Sequence, residues 1–402
     1  MHRVSRGAAV ELQYRATYIL DMPTLLSAAL IHTRITCLIL LLTLGACSHQ
    51  PPVYRPVATD GFARVLEFWQ RTHSDEKVDL YSQDQILAIA DNLLLMQRNN
   101  GGWPANINPF RKLTGDQRLQ FLKDQNARDA SFANANIIPQ IFYLSHVYLQ
   151  TGDVRYRDSA KKAFRLVMSA QLYNGGWSQQ AQSATDEMAT IDTRATVTAL
   201  RFLRRVAGGE MPYGYVPFDM RREAADSVRK GDQLLLRLQQ AHDSRASIWA
   251  GAYDLKTSQP TAASAEVVAA LDPEVSVRIT RYFMQIERPP AEVVRAVTGA
   301  ADWFSRNTLQ QAQLRSGAKR PGWLPAYSRV ALPRKAVWAR EYTIATSKPL
   351  VGAANGRTVK PYEVNALAAD HDWYGSWARE LLQTEYPRWR RRVIIPSGSP
   401  TL

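Results

Sequence analysis

Apolar positions recur every three or four residues along most of this chain, and the spacing predicts helices between residues 60 and 308. A first helix over 60–72 places Phe62, Val65, Leu66 and Trp69 on one face. Ser82 to Arg98 is the next, followed by a polar loop over 99–128 that Pro104, Pro109 and Gly115 interrupt. From there the helices come in pairs. Asp129 to Leu149 carries Ile137, Ile141, Leu144 and Val147 at helical spacing and stops at Thr151-Gly152-Asp153, before Arg155 to Leu172. Ile191 to Val206 pairs with Arg221 to Ala241, and Pro273 to Ile286 with Ala291 to Thr308. Almost nothing alternates with the period of a strand until short pieces after residue 338. Helix pairs without a domain break predict an all-α fold, an α/α toroid of about three pairs over residues 59–378. The loops at one end of such a ring form its cleft.

A tryptophan-ended loop punctuates these pairs. Gln97-Arg98-Asn99-Asn100-Gly101-Gly102-Trp103 returns as Gln171-Leu172-Tyr173-Asn174-Gly175-Gly176-Trp177, and thinner copies end at Trp249 and Trp323. The tryptophans are 74, 72 and 74 residues apart, a self-similar unit of repeat type. Paired glycines let the chain reverse tightly after a helix. Each indole then either plugs the space between helices or lines the cleft as a flat stacking surface.

The N-terminal stretch has a different logic. Arg34 leads into Ile35-Thr36-Cys37-Leu38-Ile39-Leu40-Leu41-Leu42-Thr43, too short to span a bilayer comfortably, then Leu44-Gly45-Ala46-Cys47. This is the pattern of an export signal, and its end resembles the lipobox of bacterial lipoproteins, which implies lipidation at Cys47. The expected layout is a signal over 1–47, a proline-rich tether over 48–58, the toroid, and a basic tail over 379–402. Met22 is an alternative start. Cys37 and Cys47 are the two cysteines, so the mature body has neither a disulfide nor a thiolate site. The expected location is the periplasmic face or the outer membrane.

Charge narrows the partner. The chain carries a net +14, of which residues 1–46 hold +2, leaving +12 for the exported part. A basic exported protein suits an anionic partner. The charge is dispersed apart from Arg388-Trp389-Arg390-Arg391-Arg392, a solvated tail or a contact to an anionic surface. There is no His-Glu-x-x-His pattern, no Gly-x-Ser-x-Gly elbow and no phosphate-binding loop. For a two-carboxylate glycosidase, Asp129, Asp254 and Asp272 are the first acids to test, with Asp370 and Asp372 beside His371 a looser cluster.

The Gln-x-x-x-Gly-x-Trp loops resemble the repeat of triterpene cyclases, whose Asp-x-Asp-Asp acid is absent here. A longer match runs from about residue 82 to 378. LLLMQRNNGGWP (93–104), AQLYNGGWSQ (170–179), the helix pair at 128–163, Trp338-Ala339-Arg340-Glu341-Tyr342 and Trp373-Tyr374-Gly375-Ser376-Trp377 resemble family 10 polysaccharide lyases, pectate lyases with an α/α toroid. The resemblance implies β-elimination on a uronate chain, with calcium neutralising the carboxylate and an arginine removing the C5 proton. The matching positions are altered. The Phe-Asp-Asn-Gly segment of the family corresponds to Phe132-Ala133-Asn134-Ala135, and Asn-Asp-Asp-Ala to Asp192-Thr193-Arg194-Ala195. The base-bearing segment falls near Ala263-Ser264-Ala265-Glu266, and no basic residue lies between Lys256 and Arg278.

With those oxygens missing, no cofactor is expected. Arg194 either replaces the metal's charge by a bidentate contact to a uronate or salt-bridges Asp192 or another acid across the cleft. Arg340 either holds ligand or joins a structural ion pair. The candidate substrate contacts are Trp103, Asn134, Trp177, Arg194, Arg340, Tyr342, Trp373 and Tyr374. The expected protein is a monomer that recognises an acidic polysaccharide, binds a membrane through its lipid and takes no nucleic acid. The competing readings are a lyase with a rearranged, metal-independent site and an envelope lipoprotein with no glycan. Full burial of the loop tryptophans and Trp373 favours the last.

Overall fold

Each loop tryptophan is a plug. In the computed structural model, which describes residues 52–74, 76–181, 190–242, 245–262, 268–309, 337–350 and 374–394, Trp103, Trp177 and Trp249 are wholly buried. Their indole N–H groups donate to the carbonyls of Leu93 (2.8 Å), Val167 (2.7 Å) and Leu235 (2.7 Å). Those carbonyls lie in the last turn of the preceding helix, where no intrahelical donor remains. A plug therefore caps its own helix while filling the gap to the next.

The chain divides into two units, Met1–Val53 and Tyr54–Leu402, and the fold is that of the second. Its helices are α1 (Ala63–Thr72), α2 (Ile86–Met96), α3 (Gly115–Lys123), α4 (Ile138–Thr151) and α5 (Val154–Ser169). Then come α6 (Thr193–Ala207), α7 (Phe218–Leu238), α8 (Pro273–Met284), α9 (Ala291–Arg306) and α10 (Tyr386–Ile394). α4 packs with α5, α6 with α7 and α8 with α9, the three expected pairs. α4, α6 and α8 adjoin in sequence as one layer, and α5, α7 and α9 as the other, which is the all-α toroid. Two-stranded ladders join the loops: β1 (Thr190–Asp192) with β4 (Ala252–Asp254), β2 (Ala241–His242) with β3 (Arg245–Ala246), β5 (Trp338–Ala339) with β8 (Tyr374–Gly375), and β6 (Glu341–Tyr342) with β7 (Pro349–Leu350).

Successive units are pinned by one recurring glutamine. The Gln97 side-chain NH2 donates to Gly101 O (2.8 Å) and to Ser159 O on α5 (3.0 Å). Gln171 does the same to Gly175 O (2.9 Å) and Ser227 O on α7 (2.9 Å). Gln239 reaches Ser247 O and Ala296 O on α9, both at 2.9 Å. The glycines make room for this approach. Gly175 has φ +104°, and a Cβ there would lie 2.6 Å from Lys230 O; Gly101 meets Lys162 O in the same way. Gly175→Ala therefore combines left-handed strain with a backbone clash, and should lower the stability by about 2 kcal/mol or more in urea unfolding.

Several expectations are corrected. The plug seen after α9 is Trp338, and the copy expected to end at Trp323 lies outside the described residues. Trp338 is wholly buried and donates to Phe304 O at 2.9 Å. The polar loop 99–128 contains α3, started by a Thr114–Gln117 capping box. The helix expected from Asp129 begins at Ile138, because Asn134, Ala135 and Ile137 hold φ of 54°, 59° and 75°. Short β structure appears well before 338, in the β1–β4 ladder. The basic tail packs as part of the body through 394: Leu381 and Trp389 are buried, and Arg281 Nε meets Glu385 Oε2 at 2.7 Å. The end of the tether is also docked, with Val57 in the core.

Candidate functional site

α6 and α8 start alike. Asp192 Oδ1 accepts from Ala195 N (2.6 Å) and Asp272 Oδ1 from Val275 N (2.9 Å), so each aspartate caps its helix. Trp177 N and Trp249 N donate to Thr196 Oγ1 and Ser276 Oγ one turn further on, both at 3.0 Å, which locks the loops to these helix starts. The second residue of each helix is then Arg194 or Glu274, and the adjoining starts bring them together.

Arg194 Nη1 and Nη2 donate to Glu274 Oε1 and Oε2 at 3.0 and 3.2 Å, and Nη2 lies 3.5 Å from Asp272 Oδ2. Arg64 from α1 and Arg278 from α8 also reach Glu274 Oε1, at 2.6 and 3.1 Å. Three guanidiniums thus share one carboxylate. The Glu274 side chain is 14% exposed, whereas those of Arg64, Arg194 and Arg278 are 43%, 30% and 36% exposed, so the cations face the opening. Burial works against the Glu274 charge, but the Arg194 hydrogen bonds and the charges of Arg194, Arg64 and Arg278 outweigh it and hold the carboxyl far below its usual range. Burial similarly opposes the Arg194 charge, and Asp272 and Glu274 raise its pKa nonetheless.

The β5–β6 turn brings a second group to this rim. Leu271 and Tyr342 exchange backbone hydrogen bonds of 2.8 and 3.0 Å, which sets β6 beside Asp272. Glu341 is half-buried, and burial first and Asp272 second raise its carboxyl pKa. Arg340, partly exposed, makes no ion pair among the described residues.

Trp103, Trp177 and Tyr342 are not contact residues. All three are buried, the first two as plugs, so no face is open to a sugar ring. Tyr342 is a clamp: its hydroxyl accepts from Ala339 N (3.0 Å) and donates to Asn307 O (3.1 Å). Tyr253 repeats this between Ala250 N and Leu238 O, both at 2.7 Å. Trp249-Ala250-Gly251-Ala252-Tyr253 and Trp338-Ala339-Arg340-Glu341-Tyr342 are therefore one motif at two stages of the repeat. Asn134 donates to Asn106 Oδ1 at 2.7 Å in the strained loop before α4. Tyr374 is half-buried; burial pushes its hydroxyl up to about 12, and that hydroxyl has no partner among the described residues. Trp373, Cys47, His371, Asp370 and Asp372 lie outside the described residues, as does the segment at 263–266. Asp129 is held by Arg98 through two 2.7 Å bonds, and Asp254 by Thr257 and Lys256 in its own turn. Tyr173 is the aromatic that the sequence reading left unweighed: it is 72% exposed at the tip of the second loop, its hydroxyl donating to Leu255 O at 3.0 Å. Its signal is an aromatic side chain at the position where the first loop has Asn99.

The altered positions do not fit calcium. Ala133 offers no oxygen, the Thr193 hydroxyl is committed to Ala250 O (2.8 Å), and the Arg194 guanidinium brings a cation where a carboxylate is needed.

The pectic acid lyase family model matches residues 97–382. This chain belongs to the pectic acid lyase family. Two solved structures share its fold, both of the family 10 polysaccharide lyase from Cellvibrio cellulosa. One, an Asp-to-Ala variant in complex with trigalacturonic acid, is 19% identical with a TM-score of 0.58, covering 84% of this chain and 99% of that one. The other is 18% identical with a TM-score of 0.57, covering 84% and 98%. No curated protein matches the sequence. Within this pectic acid lyase fold, Arg194 and Glu274 stand at the starts of adjacent helices of one layer, and Arg64 reaches Glu274 from α1.

Proposed function

We propose that this chain recognises an acidic, uronate-bearing polysaccharide and does not cleave it by the calcium-dependent route. Membership of the pectic acid lyase family, and a structural relative in complex with trigalacturonic acid, support the ligand class. The observation that carries the reading is the sharing of Glu274 by Arg64, Arg194 and Arg278. Each of these cations stays partly exposed, and Arg340, also partly exposed and next to Glu341, makes no salt bridge among the described residues. A uronate carboxylate accepts bidentate hydrogen bonds of this kind without a metal. Export and lipidation at Cys47 belong to the same proposal, on the strength of the lipobox pattern.

A second reading, a metal-independent lyase, is favoured by Glu341. Its carboxyl has a pKa raised by burial and by the nearby Asp272, against the charge of Arg340, and makes no hydrogen bond among the described residues, which suits proton transfer. The envelope-only reading gains from the buried loop tryptophans, but its other criterion, Trp373, lies outside the described residues.

The test is to incubate residues 48–402 with polygalacturonate and alginate, with calcium and with chelator. The binding reading expects no rise in the ultraviolet absorbance of an unsaturated product, and retention on an acidic-polysaccharide gel. Arg340→Ala and Arg194→Ala should each weaken retention about 10-fold or more, the worth of a charge-assisted hydrogen bond. Absorbance that rises despite chelator and is lost in Glu341→Gln establishes the lyase instead. Absence of both signals overturns glycan recognition.

A further inference from the structure

The end of the ring away from the arginine cluster has a chemistry of its own. α4, α6 and α8 begin at the plugged loops and end there, at Thr151, Ala207 and Met284. Three features meet at that end.

The first is the tether. Arg55 N donates to Gln150 Oε1 (2.7 Å) and Arg55 O accepts from Gln150 Nε2 (3.0 Å), on the last turn of α4. The second unit thus has its first residues fixed at this end. Arg55 is eight positions after Cys47, a step that spans about 28 Å when fully extended.

The second is α10. Arg392 Nη2 donates to Met284 O (3.1 Å), the last carbonyl of α8, where a cation is favoured by the negative helix end. The buried Trp389 and the Arg281–Glu385 pair hold the segment in place, and Arg388, Arg390 and Arg391 remain exposed.

The third is a set of bare apolar tips. Leu149 and Val154, 41% and 49% exposed, flank the α4–α5 turn. Met211 and Phe218, 65% and 72% exposed, flank the connection from α6 to α7. Connections at a protein surface ordinarily carry polar residues, whereas apolar tips beside arginines match the boundary between lipid headgroups and acyl chains.

We propose that this end of the ring is a membrane-docking face for anionic phospholipid, with Arg388, Arg390 and Arg391 on headgroup phosphates and Leu149, Val154, Met211 and Phe218 entering the interface. The orientation deepens the lipid-anchored reading, since a lipid on Cys47 holds the same face down; the docking itself needs no lipid on the protein. The arginine cluster then faces away from the membrane, toward a polymer in the aqueous phase.

The polypeptide Ser48–Leu402 serves for the test, because its core runs from Val57 to Trp389 inside one unit. It is sedimented with vesicles of phosphatidylcholine alone or mixed with phosphatidylglycerol. Wild type should sediment with the mixed vesicles and stay free of the neutral ones. Combining Arg388→Gln, Arg390→Gln and Arg391→Gln should weaken that binding roughly 100-fold, at about 1 kcal/mol for each basic residue. Met211→Ser with Phe218→Ser should weaken it roughly tenfold at unchanged charge. The control combines Arg245→Gln, Arg295→Gln and Arg306→Gln around a separate groove beside α9, and should bind like wild type. Failure of wild type to sediment, or an equal loss in the control, overturns the docking face. Mass spectrometry of Cys47 in the exported protein reports the anchor separately, so a lipidated chain whose polypeptide ignores vesicles loses the face and keeps the anchor.

Discussion

Trp177→Ala should cost about 3–5 kcal/mol of stability, a large share of what a protein of this kind has to lose. The indole has no exposed surface, and its removal opens a cavity where α5 hands over to α6. It also strips the Val167 carbonyl of its donor at a helix end, a group that has no alternative partner inside the core. The loop around it has little room to collapse into the space, because even a Cβ added at Gly176 would lie 2.7 Å from Ile191 and 2.9 Å from Leu234. Tyr173→Ala, four positions earlier on the same loop but 72% exposed, should cost less than 1 kcal/mol. Urea unfolding of the two variants measures this directly. Equal losses would show that the tryptophan is a surface residue in solution and reopen its role in the cleft.

Glu274→Gln should cost about 2–3 kcal/mol at neutral pH and almost nothing in acid. Removing one partner of a buried ion pair costs about 3–5 kcal/mol, and the partial exposure of the three arginines lowers that figure. Because the folded carboxyl titrates below its unfolded value, the unfolded chain takes up the proton first as pH falls. The stabilisation is therefore complete above about pH 4.3, the ordinary glutamate value, and declines below it. Urea midpoints of wild type and variant between neutral pH and acid should converge as pH falls. A gap that stays constant across the range would mean that Glu274 acts by shape and not by charge.

Much of the frame was legible because it repeats. Gln97 and Gln171, the glycine pairs and the first three tryptophans are spaced by the fold, so period and role coincide. After α9 it is Trp338 that makes the plug's bond, with a longer stretch of chain between helix and plug, and Trp323, at the expected interval, lies outside the described residues. The segment around Arg340 hid its kinship with Trp249–Tyr253 because of that longer stretch. Helix starts were missed where polar side chains bond backbone, as at Thr114, and where left-handed residues delay the helix, as before Ile138. At the site, sequence located Arg194 as the departure from the family but could not name its partners. Glu274 is 80 residues from Arg194 and 210 from Arg64, and only closure of the ring brings them together. Burial, not residue type, separated the plugging aromatics from the exposed Tyr173.

The Arg64–Glu274 contact also fixes an order of assembly. Each plug and each glutamine pin is made with the neighbouring unit, so those parts can form as the chain lengthens. The arginine cluster cannot. Its earliest member sits in α1 and must wait until the third unit has been made and folded back beside the first. A chain cut short before α8 should hold two well-plugged units and a cationic helix start with no acid to hold. The opening is thus the last part of the molecule to become itself, and the first to be lost from a shortened chain.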